Sequence, residues 1–339
     1  ASRSGLTRES GGRPKWTGEV RLNEQWLDQP LRWRKPRMIF VCAHGDLFHE
    51  SVPDEWIDQV FAVMALAPQH TFQVLTKRPD RAEEYLIRCR GRVRDLVSDR
   101  HSRCWPFDFW YPIGVERFAA AESRILKNWP LPNVWIGTSA SDQASADLRI
   151  PQLLQCPAAL RFVSLEPLLG PVDLTALPYG HAIGNAPSYQ DSLRGKMWMP
   201  AGTPSWPTHP GQTVGNRTYV DLCRSLDWVI VGGESGRGAR PMHPDWARAL
   251  RDQCAAAAVP FFFKQWGEWT DVYDRDRDDP DWRHCDTISH ATPTGRWMNL
   301  EGGTGFHGDR VIRMVPTGKK NTGRQLDGRE WNEVSDGQA

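Results

Sequence analysis

The stretch Trp228-Val229-Ile230-Val231-Gly232-Gly233-Glu234-Ser235-Gly236 decides the fold. Its apolar residues run on without alternation, which is how a strand covered on both faces of a parallel sheet reads. Glycines and a carboxylate follow, and Pro244 then opens a helical segment with Trp246, Leu250 and Cys254 on one side. The same strand pattern recurs at Met38 to Cys42, Thr71 to Leu75, Val134 to Thr138, Arg161 to Leu165 and Phe261 to Lys264.

Helical patterns fall between these runs. Trp56, Ile57, Val60, Phe61 and Met64 form one apolar stripe of a helix entered through Ser51, Pro53 and Asp54. Pro79 opens a charged helix through Asp80, Arg81, Glu83 and Glu84, and Ser141 with Asp142 caps a segment carrying Ala146, Leu148 and Ile150. Alternating βα units predict parallel strands with right-handed crossovers. The expected fold class is α/β, a partial (βα) barrel of the TIM-like kind with long loop insertions.

Three insertions interrupt the rhythm. Residues 91–130 hold a Cys-Trp-Pro-Phe-Asp-Phe-Trp-Tyr-Pro cluster and a predicted helix from Val115 to Leu126. Residues 176–217 are rich in Pro, Gly and Ser and read as a long excursion, a lid or a disordered segment. Residues 270–310 are acidic, then Gly-rich. The expected organisation is an N-terminal remnant and basic linker over 1–36, a barrel core over 37–269 with its insertions, and a loop-rich extension over 270–339.

Composition narrows the function classes. The 339 residues are 40% hydrophobic and 24% charged, as in a soluble globular protein. With 42 basic and 41 acidic residues the net charge is +1, so no global field draws the chain onto nucleic acid or an anionic membrane. Any nucleic-acid site must be a local patch. The longest apolar run, near Val60 to Ala67, falls far short of the roughly 20 residues that span a bilayer. The polar N-terminus lacks the apolar core of a signal peptide, and seven cysteines without paired spacing suit reduced thiols. A cytoplasmic protein is expected.

In parallel α/β folds ligands bind beyond the carboxyl ends of the strands. Those ends carry Asp46 and His49, Lys77 and Arg78, Ser139, Glu166, Glu234, and Lys264 in turn. Asp46 and His49 also suit caps of the following helix, and Lys77-Arg78 suits a solvated turn. Glu166 and Glu234 point to function more strongly, because a carboxylate at a buried strand end is costly without a partner. Asp46, Glu166 and Glu234 are the candidate catalytic residues. Lys77, Ser139, Glu166, Glu234 and Lys264 are the candidate ligand-binding ones. The glycine loop Gly233 to Gly238 matches neither a P-loop nor a dinucleotide fingerprint, and most of the 17 tryptophans read as packing.

Metal motifs are missing. There is no CxxC, His101 and Cys104 lack a second pair, and His284-Cys285 stands alone. The run Asp274, Asp276, Asp278 begins like a calcium loop, but Asp279 occupies the position that needs Gly and Cys285 the final one.

Several segments together resemble the phage gene-product thirty-seven/sixty-eight family: Pro30 to Arg37, Asp46 to Glu50, Gln73 to Pro79, Arg161 to Leu174, Asp227 to Gly236, Ala239 to Pro244 and Pro260 to Trp269. The match extends from Gly5 to Trp269, with a tail near Gly318 to Trp331. Members occur in phages, prophages and bacterial genomes and look like radical S-adenosylmethionine proteins on a partial (βα) barrel. That likeness rests on a three-cysteine motif, whose thiolates would hold a [4Fe–4S] cluster that leaves one iron for S-adenosylmethionine. The motif is absent from this chain. Gly5-Leu6-Thr7-Arg8 and Lys15-Trp16-Thr17-Gly18 align just after it, so the chain is expected to be an N-terminally truncated product or an incomplete gene.

Three functional expectations follow. In the first, the full-length protein is a cluster-bearing radical S-adenosylmethionine enzyme acting on a macromolecule or modified nucleotide. Glu234 or Glu166 would then hold amino or ribose groups, Ser139 the ribose, and Lys77 or Lys264 the carboxylate. In the second it is a barrel that binds nucleic acid or protein without catalysis, through Arg32 to Arg37 and Lys77-Arg78. The third is a metal-assisted hydrolase with Asp46, His49, Glu166 and Glu234 as hard ligands.

Overall fold

The computed structural model describes residues 5–10, 13–99, 115–181, 187–200, 212–214, 217–221, 224–274, 288–305 and 308–335. The cluster beginning at Cys104, the pair His101/Cys104, His284-Cys285 and the aspartate run beyond Asp274 lie outside the described residues. The chain forms two compact units, one of Ala1–Trp135 with Cys156–Ala159 and one of Ile136–Gln155 with Leu160–Ala339.

The first unit opens with an antiparallel hairpin of β1 (Thr7–Ser10) and β2 (Arg13–Trp16), followed by short helices α1 (Glu24–Leu27) and α2 (Gln29–Arg32). Strand β3 (Met38–Val41), helix α3 (Asp54–Leu66) and strand β4 (Thr71–Thr76) then make one βαβ unit, with β3 and β4 parallel and Met38 opposite Thr71. The expected stripe makes α3, whose Ile57, Phe61 and Met64 are buried. Each such side chain contributes roughly 2 kcal/mol by leaving water. Helix α4 (Pro79–Arg88) starts at Pro79, where the missing N–H costs nothing, and buries Ala82, Tyr85 and Leu86 at helical spacing. Helices α5 (Arg90–Ser98) and α6 (Val115–Lys127) complete the layer.

A buried carboxylate ties three of these helices together. Asp58, 6% exposed on α3, accepts from Tyr85 Oη at 2.6 Å and from Arg92 Nε at 2.8 Å. Desolvation, with the Asp58 hydrogen bond and charge adding to it, pushes the Tyr85 phenol far above its ordinary pKa, so it stays a donor.

Strand β5 (Val134–Ser139) is shared between the units, and α7 (Gln143–Gln155) and β6 (Leu160–Leu165) follow it. As expected, the α7 entry is braced locally: Asp142 Oδ1 accepts from Ser145 N at 2.8 Å. The segment read as an excursion builds instead an antiparallel sheet of β7 (Leu177–His181), β8 (Pro187–Asp191), β9 (Lys196–Pro200), β10 (Gln212–Val214) and β11 (Arg217–Asp221), in the order β10-β11-β9-β8-β7. Its β8–β9 hairpin turns at Gly195, φ +62°, with Asp191 Oδ1 accepting from the backbone of Leu193 and Arg194, and Tyr189 stacks on Trp198 at 4.4 Å. Turn chemistry at Asp191 and Gly195 outweighs the low apolar content of the segment.

Strand β12 (Trp228–Gly232), helix α8 (Pro244–Ala257) and strand β13 (Phe261–Gln265) resume the βα pattern. Strand β12 pairs in parallel with β6 and with β13. The strand order β3-β4-β5-β6-β12-β13 follows the chain without reversal. With right-handed crossovers such an order is singly wound, as in a barrel, rather than doubly wound. It does not close on itself, so the α/β class and the partial-barrel strand order are borne out. Among the described residues after Gly267, β14 (Trp269–Asp274), β15 (Arg296–Met298) and β16 (Ile312–Pro316) form an antiparallel sheet in the order β14-β16-β15.

The tail covers the β13 edge, which would otherwise offer unpaired backbone groups. Phe263 N donates to Trp331 O at 3.0 Å, Phe261 N to Glu333 Oε2 at 3.0 Å, and Trp228 Nε1 to Glu333 O at 2.8 Å. Among the described residues no helix is long and apolar enough to cross a membrane.

At the start of the β6–β12 pair, Asp227 Oδ2 accepts from Arg161 N at 2.7 Å while burial raises the carboxyl's pKa. A raised acid is stabilising only while protonated, and its contribution is lost as pH climbs through the folded pKa. Asp227→Asn keeps an acceptor and sheds the charge. It is expected to gain a fraction of a kcal/mol at pH 7 in urea unfolding, with the gain vanishing below the ordinary carboxylate range. A loss at pH 7 would contradict this account.

Candidate functional site

In the second unit, strand register stacks side chains in layers. Phe162 lies opposite Trp228 on the neighbouring strand, and the rings of Phe162 and Phe262 each stand 5.9 Å from that of Trp228. Gly137 belongs to the same face, because a Cβ there would fall 2.5 Å from the Phe162 ring. Side chains return to one face every second residue. Above this aromatic layer come Ser164 and Ile230, which are register partners, and then, at the carboxyl ends, Ser139, Glu166, Gly232 and Lys264. Polarity therefore rises along the strands, from an aromatic floor to an ionic rim.

The rim centres on Glu166. Its Oε2 pairs with Lys264 Nζ at 2.8 Å and its Oε1 accepts from Gln265 Nε2 at 2.9 Å. The same Gln265 amide donates to Ser235 Oγ at 2.9 Å. Gly232 leaves room for this carboxylate, since a Cβ there would stand 3.3 Å from Glu166 Cδ. The Lys264 side chain is 52% exposed and that of Glu166 16%, so this ion pair faces solvent on its cationic side.

Glu234 stands differently. Arg240 grips it with Nε and Nη2, each at 2.8 Å, and adds its backbone N at 2.7 Å. These bonds and the guanidinium charge hold Glu234 below the usual carboxylate range. The carboxylate braces the loop from Gly233 to Arg240. Ser139 is buried, and its carbonyl accepts from Arg149 Nη1 at 2.7 Å.

The loops after β12 and β13 are laced through their glycines. Gly233 N donates to Gln265 O at 2.9 Å and Glu268 N to Glu234 O at 2.9 Å. A Cβ at Gly233 would fall 1.9 Å from Trp266 O, and one at Gly267, φ +84°, 2.1 Å from Glu234 O.

In the first unit Asp46 is a clamp. Its Oδ1 accepts from Phe48 N at 3.0 Å and Thr76 Oγ1 at 2.7 Å, and its Oδ2 from Lys77 N at 3.0 Å and Arg78 Nη1 at 3.1 Å. Arg78 also reaches Glu50 at 2.8 Å. His49 Nδ1 accepts from Ser51 N at 3.1 Å, the capping role open to it from sequence. Lys77 is exposed.

The sequence thus placed Glu166 and Lys264 correctly at strand ends, and the structure joins them directly. It passed over Gln265, Ser235 and Arg240. Gln265 directly follows Lys264 at the end of the same strand, and that position was its only signal. Of the four residues of the hydrolase reading, Asp46 and His49 belong to the first unit and Glu166 and Glu234 to the second. Among the described residues no three His, Cys, Asp or Glu side chains gather to hold a metal ion.

Among the described residues the thiols of Cys42, Cys89 and Cys254 lie in surroundings that favour the protonated form. Desolvation, with the Asp46 charge, pushes the Cys42 thiol up to about 11, and desolvation pushes Cys89 and Cys254 up to about 12. A cluster ligand needs the opposite, a stabilised thiolate.

A singly wound α/β sheet with a polar site at its carboxyl ends defines the class of protein. The chain belongs to the family described as protein of unknown function (DUF5131), whose model matches residues 2–335. No curated protein and no solved structure matches it.

Proposed function

We propose that the second unit binds S-adenosylmethionine at the rim around Glu166 and Lys264, and that the protein is a phage- or prophage-type enzyme of the radical S-adenosylmethionine kind. The observation that carries this reading is the solvent-facing ion pair itself. A zwitterionic amino-acid moiety replaces such a pair with both charges still met: its ammonium takes Glu166 and its carboxylate takes Lys264. Gln265 holds Glu166 in place, and the hydroxyls of Ser139 and Ser235 suit a ribose. The resemblance of Arg161 to Leu174 and Pro260 to Trp269 to the phage gene-product family supports the choice of ligand. The described cysteines leave the cluster, and the bond-breaking step it would supply, without an assignment.

Titration calorimetry with S-adenosylmethionine and S-adenosylhomocysteine tests this. Both are expected to bind, and Lys264→Ala and Glu166→Gln are each expected to weaken binding about tenfold or more, roughly 1.4 kcal/mol. An analogue lacking the carboxylate should bind the native chain as weakly as it binds Lys264→Ala. Absence of saturable binding at millimolar ligand, or equal affinities in all variants, would refute the assignment.

A further inference from the structure

We infer that the rim of this site carries a docking surface for the phosphate backbone of a single-stranded polynucleotide, formed by Arg237, Lys319 and Lys320. The overall charge is only +1, so a local concentration of unpaired cations stands out. Glu268 assembles it. Its Oε1 accepts from Gly236 N at 2.9 Å and its Oε2 from Lys319 N at 3.2 Å. One carboxylate thus bridges the N–H of Gly236, which precedes Arg237, and that of Lys319. The Glu268 carbonyl also accepts from Thr317 N and Gly318 N, at 3.0 and 3.1 Å, and Thr322 Oγ1 donates to Gly267 O at 2.9 Å. The turn bearing both lysines is therefore fixed onto the loops after β12 and β13. Arg324 Nε adds a bond to Lys264 O at 3.0 Å.

Two of the three carboxylates of this region are offset by a cation of their own, and Glu268 keeps its charge, so three unpaired cations stand against one carboxylate. Glu166 is held by Lys264 and Gln265, Glu234 by Arg240, and Glu268 by two backbone donors. Arg237, Lys319 and Lys320 are exposed, and none of their side chains meets a carboxylate among the described residues. Arg237 sits at a tip between Gly236, φ +98°, and Gly238, φ +81°, where a Cβ would meet nothing within 4 Å. Its guanidinium is free to take a phosphate with two donors, and the lysines act as point charges beside it. A polyanion whose phosphates repeat along a flexible strand can meet all three cations at once. The inference does not depend on which small ligand the site holds.

Fluorescence anisotropy with a labelled single-stranded 20-nucleotide RNA and the full chain, without S-adenosylmethionine, tests it. The triple variant Arg237→Ala/Lys319→Ala/Lys320→Ala is expected to lose at least tenfold in affinity. Its log–log salt slope should fall by about 2, as loss of three phosphate contacts on a single strand requires. These side chains touch no folding contact named above, and thermal melting should be unchanged. Lys127→Glu on α6 should leave affinity within about twofold. The inference fails if the native chain does not bind at low salt, or if the triple variant binds like the native chain. It fails equally if Arg34→Ala/Lys35→Ala in the first unit carries the loss instead, or if polyglutamate competes as well as the RNA, which would mark an acidic protein as partner.

Discussion

Gly267→Ala is expected to destabilise the second unit by about 3 kcal/mol or more, and Gly233→Ala by a similar amount. A side chain at either position would enter the backbone of the opposite loop, 2.1 Å from Glu234 O for Gly267 and 1.9 Å from Trp266 O for Gly233. Carbonyls in laced turns cannot rotate away as a flexible side chain can. Gly267 adds a left-handed φ of +84°, which alone costs an L-residue about 1 kcal/mol. Gly236 separates the two effects, having φ +98° with open space around it, and Gly236→Ala should cost only about 1 kcal/mol. Urea unfolding gives the totals, and hydrogen exchange at β12 and β13 gives the local share. The native order of stability should be followed by Gly236→Ala, then Gly233→Ala and Gly267→Ala. If Gly233→Ala matched Gly236→Ala, the lacing would be too loose to hold Gln265 against Glu166, and the geometry of the rim would lose its support.

What the sequence disclosed depended on the range of the interactions involved. The run Trp228 to Gly232 coincides with β12, and the other five runs match their strands to within one residue at either end. Continuous apolar character is set locally by burial on both faces, so it survives in one dimension. The same holds for Pro79 and Pro244, which open α4 and α8. The β7–β11 sheet was not legible, because its strands are short, several residues are proline or glycine, and alternating positions such as Ser188 and Gln190 are buried yet polar. Nor was the strap at Trp331 to Glu333, whose bonds to β13 bridge some seventy residues.

The candidate site shows the same division. Glu166 and Lys264 are candidates because strand ends are where ligands bind, yet their pairing spans 98 positions and could not be read. Glu234 is a functional candidate because a carboxylate at a buried strand end needs a partner, and that partner, Arg240, lies only 6 residues on in the same loop. A glycine loop gives no periodicity from which to infer that its ends fold together. Glu268 was invisible for a different reason, since its bonds are to backbone N–H groups that no residue identity reports.

Asp46→Ala is expected to destabilise the first unit by about 3 kcal/mol, which separates a clamp from a catalyst. The carboxylate, 16% exposed, receives four donors. Truncation removes the Oδ1 acceptor of Thr76 Oγ1, on a residue only 1% exposed, and of the part-buried Phe48 N–H, gives Lys77 N to solvent, and leaves Arg78 with Glu50 as its carboxylate partner. Buried donors stripped of their partner bear the full cost of desolvation, whereas removing both partners together is far cheaper. Asp46→Asn preserves the Oδ1 bonds to Phe48 and Thr76 but turns an amide toward Lys77 N and Arg78, donor against donor, and should cost about 1–2 kcal/mol. Thr76→Val alone should cost about 1 kcal/mol, and the pair Asp46→Ala/Thr76→Val less than the sum of the two, because the two substitutions remove the same hydrogen bond. Thermal and urea unfolding read these values, and the S-adenosylmethionine titration that tests the proposed site in the second unit serves as an independent readout. An Asp46→Ala chain of native stability that lost function would return Asp46 to the catalytic role its strand-end position suggests; a destabilised chain that still binds ligand assigns it to holding the loop after β3 against the end of β4.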